Sequence, residues 1–483
     1  MKKEDLYDAI TEVSDEHLRR ADACHERKQS LGRRRWRRGA VAAVLVVAVL
    51  GGAVIHSFTG NGPTIGPSAK AFALATAEYP NMAEFPGKDN GSAYENWRND
   101  IRKQSRPSGH ADGLGEFFTA AMGEFLSDTQ GENKLFSPVN VYLALGMLAE
   151  LTDGESRGQI LDLLGYEDME SLRVQAGDIW NANYMNDGKT ISILGSSLWL
   201  NEDIPFEKGT LNRLAGTYYA STYQGTMGSE KYNQALRDWL DAQTGGKLGE
   251  ATKNIELRAD TILALASTIY YQAKWDSRFS AEKNTKDLFH APDGDVTVEY
   301  MNKTGMEGTY YWGEHFGAVA VPLENAGAMW FILPDEGVTA EGLLEDAETV
   351  ALIRSGGGWE NKQRCRINLS VPKFDVTGGG DLIDGLKNLG VTDVFDFTAA
   401  DFSPLLGDGN GGHQPYVNQA QHDVRVAIDE DGVTAVAYTL IVTKDGAAPL
   451  PNDEVDFVVD RPFLFLITGA DDVPLFSGIV NRP

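Results

Sequence analysis

A hydrolase needs a nucleophile beside a base, and a metal enzyme needs ligands at helix or turn spacing. This chain offers little of either. Its eight histidines include no pair three or four residues apart, and no H-E-x-x-H occurs. Gly407-Asp-Gly-Asn-Gly-Gly412 is a formal G-x-G-x-x-G. It follows Ser403-Pro-Leu-Leu406 and precedes His413-Gln-Pro415, without the strand and helix that a nucleotide-binding turn requires. Tyr310, Tyr311, Trp312 and Phe316 could line a sugar-binding face or pack within a sheet. Cys365, between Arg364 and Arg366, reads either as a low-pKa thiol or as an ordinary strand residue. Cys24 is the only other cysteine, so no disulfide framework holds the fold. No metal, no cofactor and no enzymatic activity are expected.

The stretch from His422 to Pro483 is more informative. Val424-Arg-Val-Ala-Ile428 alternates, Asp429-Glu-Asp-Gly432 interrupts, and Val433–Thr443 resumes with β-branched, small or aromatic residues and neither Pro nor Gly. That composition suits a strand. One period-two face carries Val433, Ala435, Ala437, Thr439, Ile441 and Thr443; the other carries Thr434, Val436, Tyr438, Leu440 and Val442. The first face is slim enough to slide between two strands already in place. On these residues alone two readings stand: an ordinary hairpin turned by the Asp-Gly pair, or a spare strand held ready for a sheet.

Motifs elsewhere extend the pattern. They are Leu135-Phe-Ser-Pro-Val-Asn140 with Ala144-Leu-Gly-Met147, Gly154-Glu-Ser-Arg-Gly-Gln-Ile160 with Leu163-Leu-Gly165, and Trp239 through Leu248. Leu265 through Trp275 with Phe279, Val371-Pro-Lys-Phe374, Leu389-Gly390, Asp401-Phe-Ser403 and the closing Leu475–Pro483 complete the set. In this order and at these separations they resemble the serpin family of protease inhibitors over about Gly113 to Pro483. The resemblance implies an α+β serpin fold, with three β-sheets, about eight to nine helices and an exposed reactive loop. It also implies a partner class, serine proteases, trapped covalently by a monomeric inhibitor that is consumed as it acts.

Residue by residue, the resemblance places the hinge of the loop at Glu430, Asp431, Gly432, Val433, Thr434 and Ala435. Val433 stands where the family usually has Thr or Ser, and Tyr438 departs from the usual run of small residues. Ser137, Asn140, Ser267 and His422 match the shutter region, beneath which the sheet parts. Asn140 and Ser267 exchange the residue types that relatives commonly carry there, so one amide and one hydroxyl are expected in the same buried network. Counting roughly fourteen residues beyond Gly432, as the resemblance implies, puts the reactive bond at Gly446 or Ala447, with Lys444 as an alternative. Small residues would suit an elastase-like or subtilisin-like protease; Lys444 would suit a trypsin-like one. The competing function class is a non-inhibitory serpin that keeps the fold for binding or adhesion.

The N-terminus has its own logic. Residues 1–38 form a basic tail ending in Arg33-Arg-Arg-Trp-Arg-Arg38, and 39–58 is almost wholly apolar. The expectation is a single transmembrane helix acting as a signal anchor, tail in the cytoplasm. A cleaved signal peptide is the rival. Residues 59–112, rich in Gly, Pro, Ala and Asn, read as a stalk with one short helical piece around Tyr94 to Arg102, leading to the serpin domain at 113–483. Together with the resemblance, this layout implies a bacterial, cell-surface protein with its domain outside the cell. The formal net charge of −27 makes nucleic acid an unsuitable partner.

Overall fold

The computed structural model describes residues 68–80, 82, 84–87, 90–99, 109, 111–188, 190–244, 255–324, 327–407, 414–433, 453–469 and 472–483, together with the backbone of 41–51, 67 and 100–103. Two nine-stranded sheets and the helices packed on them form the body.

The main sheet is built from β1 (Val41–Gly51), β2 (Ala73–Ala75), β3 (Ile191–Asn201), β4 (Ala220–Gly225), β5 (Thr261–Lys274), β6 (Phe374–Asp381), β7 (Pro415–Ile428) and β8 (Gly432–Val433), with a short Met185–Asn186 strand beside β3. β3 and β5 are buried along nearly their whole length, small hydroxyl residues such as Ser196, Ser197, Ser267 and Thr268 included, the pattern of strands covered on both faces. They pair antiparallel from Ile191↔Gln272 to Leu200↔Leu263. β6 pairs antiparallel with β7, from Phe374↔Ile428 to Asp381↔Gln421.

The second sheet runs in the order Glu454–Val458, Lys362–Pro372, Gly294–Trp312, Phe316–Pro322, Ala328–Pro334, Phe463–Thr468, Pro474–Val480 and Lys134–Phe136, with Thr285–Ala291 against Gly294–Trp312. Three separate sheets were expected, and among the described residues there are two. The 19-residue strand Gly294–Trp312 hydrogen-bonds to Thr285–Ala291, Lys362–Pro372 and Phe316–Pro322, which fuses two of the three into one ladder.

Three helices matter for the site. α1 (Gly91–Lys103) coincides with the helical piece expected around Tyr94. α2 (Pro138–Leu151) starts at an N-cap, Ser137, with Pro138 in its first turn, and every residue in it is buried. It runs between β5 and the strand Pro474–Val480. α3 (Met169–Asn183) is capped by Asp168, whose side chain accepts from Ser171 N.

The N-terminal expectations change. Val41–Gly51 is a strand and not a helix, and no helix among the described residues is long and apolar enough to cross a membrane. Five of its eleven residues are valine, and β5 and β7 supply the backbone partners that a helix would otherwise provide internally. The rest of the expected span lies outside the described residues. Nor is the next stretch a free stalk where it is described. β2 pairs with β4, Ala77 N donates to Ser221 Oγ at 3.0 Å, and the Tyr79 ring stacks 5.7 Å from Trp180 of α3 and 5.5 Å from Tyr184. Trp97 of α1 is buried with its ring edge-on to Phe85 at 4.9 Å. Aromatic anchors hold this extension against the domain.

Candidate functional site

The residues expected to form the hinge begin where β7 ends. Asp429 and Gly432 exchange backbone hydrogen bonds at 3.0 and 3.3 Å, and Asp429 Oδ1 accepts from Asp431 N at 2.9 Å, closing a tight acidic turn. Val433 then pairs back on Ile428 and across to Ala273, so β8 sits between β7 and β5 at one end of both strands. A Cβ at Gly432 would collide with the carbonyl oxygen of Ala273, so glycine is required by this close approach. Val433 is fully buried.

A polar cluster pins the turn from outside. Glu430 accepts from Lys373 Nζ and from Asn284 Nδ2, each at 2.5 Å, while Glu299 accepts from the same two groups at 3.0 and 2.7 Å. Asp431 pairs with Arg278. Trp275 Nε1 donates to Asp429 O at 2.8 Å, and the backbone N–H groups of Trp275 and Phe279 donate to Asp431 O and Glu430 O. Partial burial would raise the Glu430 carboxyl, but hydrogen bonds from Lys373 and Asn284 outweigh it and hold the group below its ordinary value. Burial works against the Lys373 ammonium, yet its two carboxylates raise it.

The four shutter residues come together under the middle of β5 and β7, each no more than 1% exposed. His422 Nε2 accepts from Ser137 N at 3.0 Å, so this nitrogen carries no proton. Ser137 Oγ donates to Leu475 O at 2.6 Å and caps Asn140 N at 3.4 Å. Ser267 Oγ donates to Asn140 Oδ1 at 2.6 Å. The expected amide and hydroxyl thus bond each other, tying β5 to the first turn of α2. Phe136 meets the His422 ring edge-on at 5.4 Å.

Of the expected hinge residues, Glu430 to Val433 are described, whereas Thr434, Ala435 and the reactive-bond candidates Lys444, Gly446 and Ala447 lie outside the described residues. Sequence reasoning quoted Lys373 and Trp275 within motifs but gave them no part in the hinge, and it missed Arg278, Asn284 and Glu299. Their only advance signal was the acidic run Asp429–Asp431, which needs cations and donors from somewhere. Cys365 is a buried strand residue whose thiol burial pushes up, so the low-pKa reading falls. Tyr311 and Phe316 are buried, and Tyr311 packs 5.0 Å from Trp330, consistent with sheet packing. Gly154-Glu-Ser-Arg-Gly158 is a formal G-x-S-x-G that the sequence reading passed over. It opens a helix, and Ser156 is buried with its Oγ accepting from Asp401 N at 3.1 Å, so it is no nucleophile elbow.

Residues 114–483 match the model of the family described as Serpin (serine protease inhibitor), and the chain belongs to that family. Among relatives, it is 28% identical over 392 residues to alpha-1-antitrypsin-like protein GS55-MS of Ictidomys tridecemlineatus, covering 79% of this chain and 91% of that protein. It is 27% identical over 371 residues to the plasma serine protease inhibitor of Mus musculus, covering 74% and 87%. The thermophilic serpin tengpin in its native state superposes with a TM-score of 0.66 at 24% identity, over 77% of this chain and 93% of that one, a likeness of fold.

Proposed function

We infer that this protein inhibits serine proteases as a suicide substrate. The observation that carries the reading is β8: the hinge turn already delivers Gly432 and Val433 between β5 and β7, antiparallel to both, as the first residues of a strand that could continue. Loop insertion into the main sheet is an established property of the family. In this chain the register supports it in detail. Gly432 faces Lys274 and Val433 faces Ala273, so a continuing strand would set Thr434 against Gln272 and finish with Asp445 against Thr261, the first residue of β5. The sheet would then accept the loop up to the residue before Gly446. That supports a reactive bond at Gly446 or Ala447, within reach of an elastase-like or subtilisin-like protease; Lys444 would serve a trypsin-like one.

The chemistry is that of the protease interrupted. Its serine attacks the loop carbonyl and forms an acyl-enzyme, and the cut loop is freed at one end. With the space between β5 and β7 open, about ten new ladder hydrogen bonds at roughly 1 kcal/mol net each, with burial of the slim face, give on the order of 10 kcal/mol. That is comparable with the stability of a whole domain and sufficient to carry the attached protease along and distort its oxyanion hole.

The test is incubation of the full chain, beside variants that empty the gap between β5 and β7, with elastase, subtilisin and trypsin. A complex that survives denaturing electrophoresis is expected. Cleavage with no such complex in any form would overturn the reading in favour of a non-inhibitory serpin.

A further inference from the structure

The gap that a cleaved loop would enter is filled. β1 lies between β5 and β7 and pairs with both, from Ala42↔Thr261 to Gly51↔Tyr271 on one side and from Val41↔Pro415 to Leu50↔Arg425 on the other. These are the same partners, Thr261 to Tyr271, that the continued register assigns to residues 435–445. Gly51 faces Tyr271 and Val433 faces Ala273, so only the position opposite Gln272 separates the two strands within the gap. Each N–H and C=O on the inner edges of β5 and β7 can serve one ladder at a time. The loop would be stopped after Thr434.

We propose that β1 is a built-in competitor of the reactive loop, an autoinhibitory strand whose departure from the main sheet sets how often cleavage ends in trapping and how often in simple hydrolysis. This rests on the inhibitor reading above. Two features suit the role. β1 runs parallel to both neighbours, whereas β8 runs antiparallel to them, and a parallel pair is slightly less stable per residue, so the cut loop replaces a weaker ladder with a stronger one. The stretch Val41–Gly51 also has no charge and no proline, so nothing in it breaks a central strand. Because β1 belongs to the same chain, it competes at a fixed, high effective concentration, independent of protein concentration.

The test uses the full chain in two variants. Val44→Pro/Val47→Pro removes one N–H toward each neighbour and disfavours β1 as a central strand. Ala48→Cys/Thr268→Cys, in a Cys24→Ser background, joins directly paired positions of β1 and β5. Paired Cα atoms about 5 Å apart suit a disulfide. With elastase or subtilisin, the proline variant is expected to raise the fraction of protease trapped by about tenfold over the parent. The oxidised cross-linked form is expected to be cut without trapping, and reduction is expected to restore the parent's yield. After one loop cut, the melting temperature of the proline variant should rise by upwards of about 10 °C, and that of the oxidised form should not. A disulfide that fails to form, or equal trapping by the oxidised and proline forms, overturns the competitor. No trapping and no rise in melting temperature in any form overturns the inhibitor reading, and the competitor with it.

Discussion

The Oγ of Ser267 on β5 donates to Oδ1 of Asn140 in the first turn of α2, at 2.6 Å and away from solvent. This bond joins a strand bordering the gap to the helix beneath it. With Ser137 and His422 it links both edges of the gap to one cap.

Replacing Asn140 by Ser leaves the Ser267 hydroxyl facing a shorter side chain. A loss of about 1–3 kcal/mol is expected, the cost of a buried donor without its partner. Ser267→Asn in the same chain restores an amide and a hydroxyl with their positions exchanged, and should recover most of the loss. Urea midpoints of the parent, two single variants and the double variant check this, and strict additivity would refute it.

The hinge cluster makes a signed prediction about pH. Glu430 sits below its ordinary value of 4.5 in the folded state, and Glu299 is lowered too, by Lys373 first and Asn284 next. A depressed carboxylate contributes stability above its unfolded value and loses it as pH falls through the folded value. Lys373, being raised, contributes below its unfolded value and loses that only in strong alkali. The hinge should therefore loosen below about pH 4.5, and Glu430→Gln should flatten part of this acid limb. Melting curves between pH 3 and 6 for both proteins measure it; superimposable profiles would show that Glu430 is not the sensor.

Val433 is buried between β5 and β7, at the position proposed to lead the loop into the main sheet. Val433→Arg puts an unpaired charge there, and its desolvation opposes insertion. The variant should be cleaved as a substrate, with trapping reduced at least tenfold. Gel quantification of complex against cleaved chain decides it.

Gly432→Ala brings a Cβ onto the Ala273 carbonyl. The turn must open to accommodate it, at a cost of about 1–3 kcal/mol. Faster amide exchange at Val433, with exchange at the shutter unchanged, is the expected signature.

Much of the site was legible before any fold was known. The run from Val424 through Asp429–Gly432 to Val433 carries its own alternation and turn chemistry, so the strand and the turn could be read locally, while the hinge role came from the resemblance. The shutter residues could be named only through the resemblance, since Ser137 and His422 lie 285 positions apart. The partners of Glu430 were hidden for the same reason: Asn284, Glu299 and Lys373 sit on separate elements that only the packed sheets bring to one corner.

The resemblance made a serpin-like domain legible from about residue 113, and the residues by themselves determined an acidic turn closed by a glycine, a slim period-two face after it and no disulfide scaffold. The last three are written in local residue types and spacing. Only the tertiary structure decided that Val41–Gly51 is a strand between β5 and β7 and that the described residues of 67–103 dock against the domain. An apolar, valine-rich segment satisfies its backbone either within a helix or between two strands, and periodicity cannot choose between them. The choice is made by the open edges of β5 and β7, which exist only after the sheet has formed.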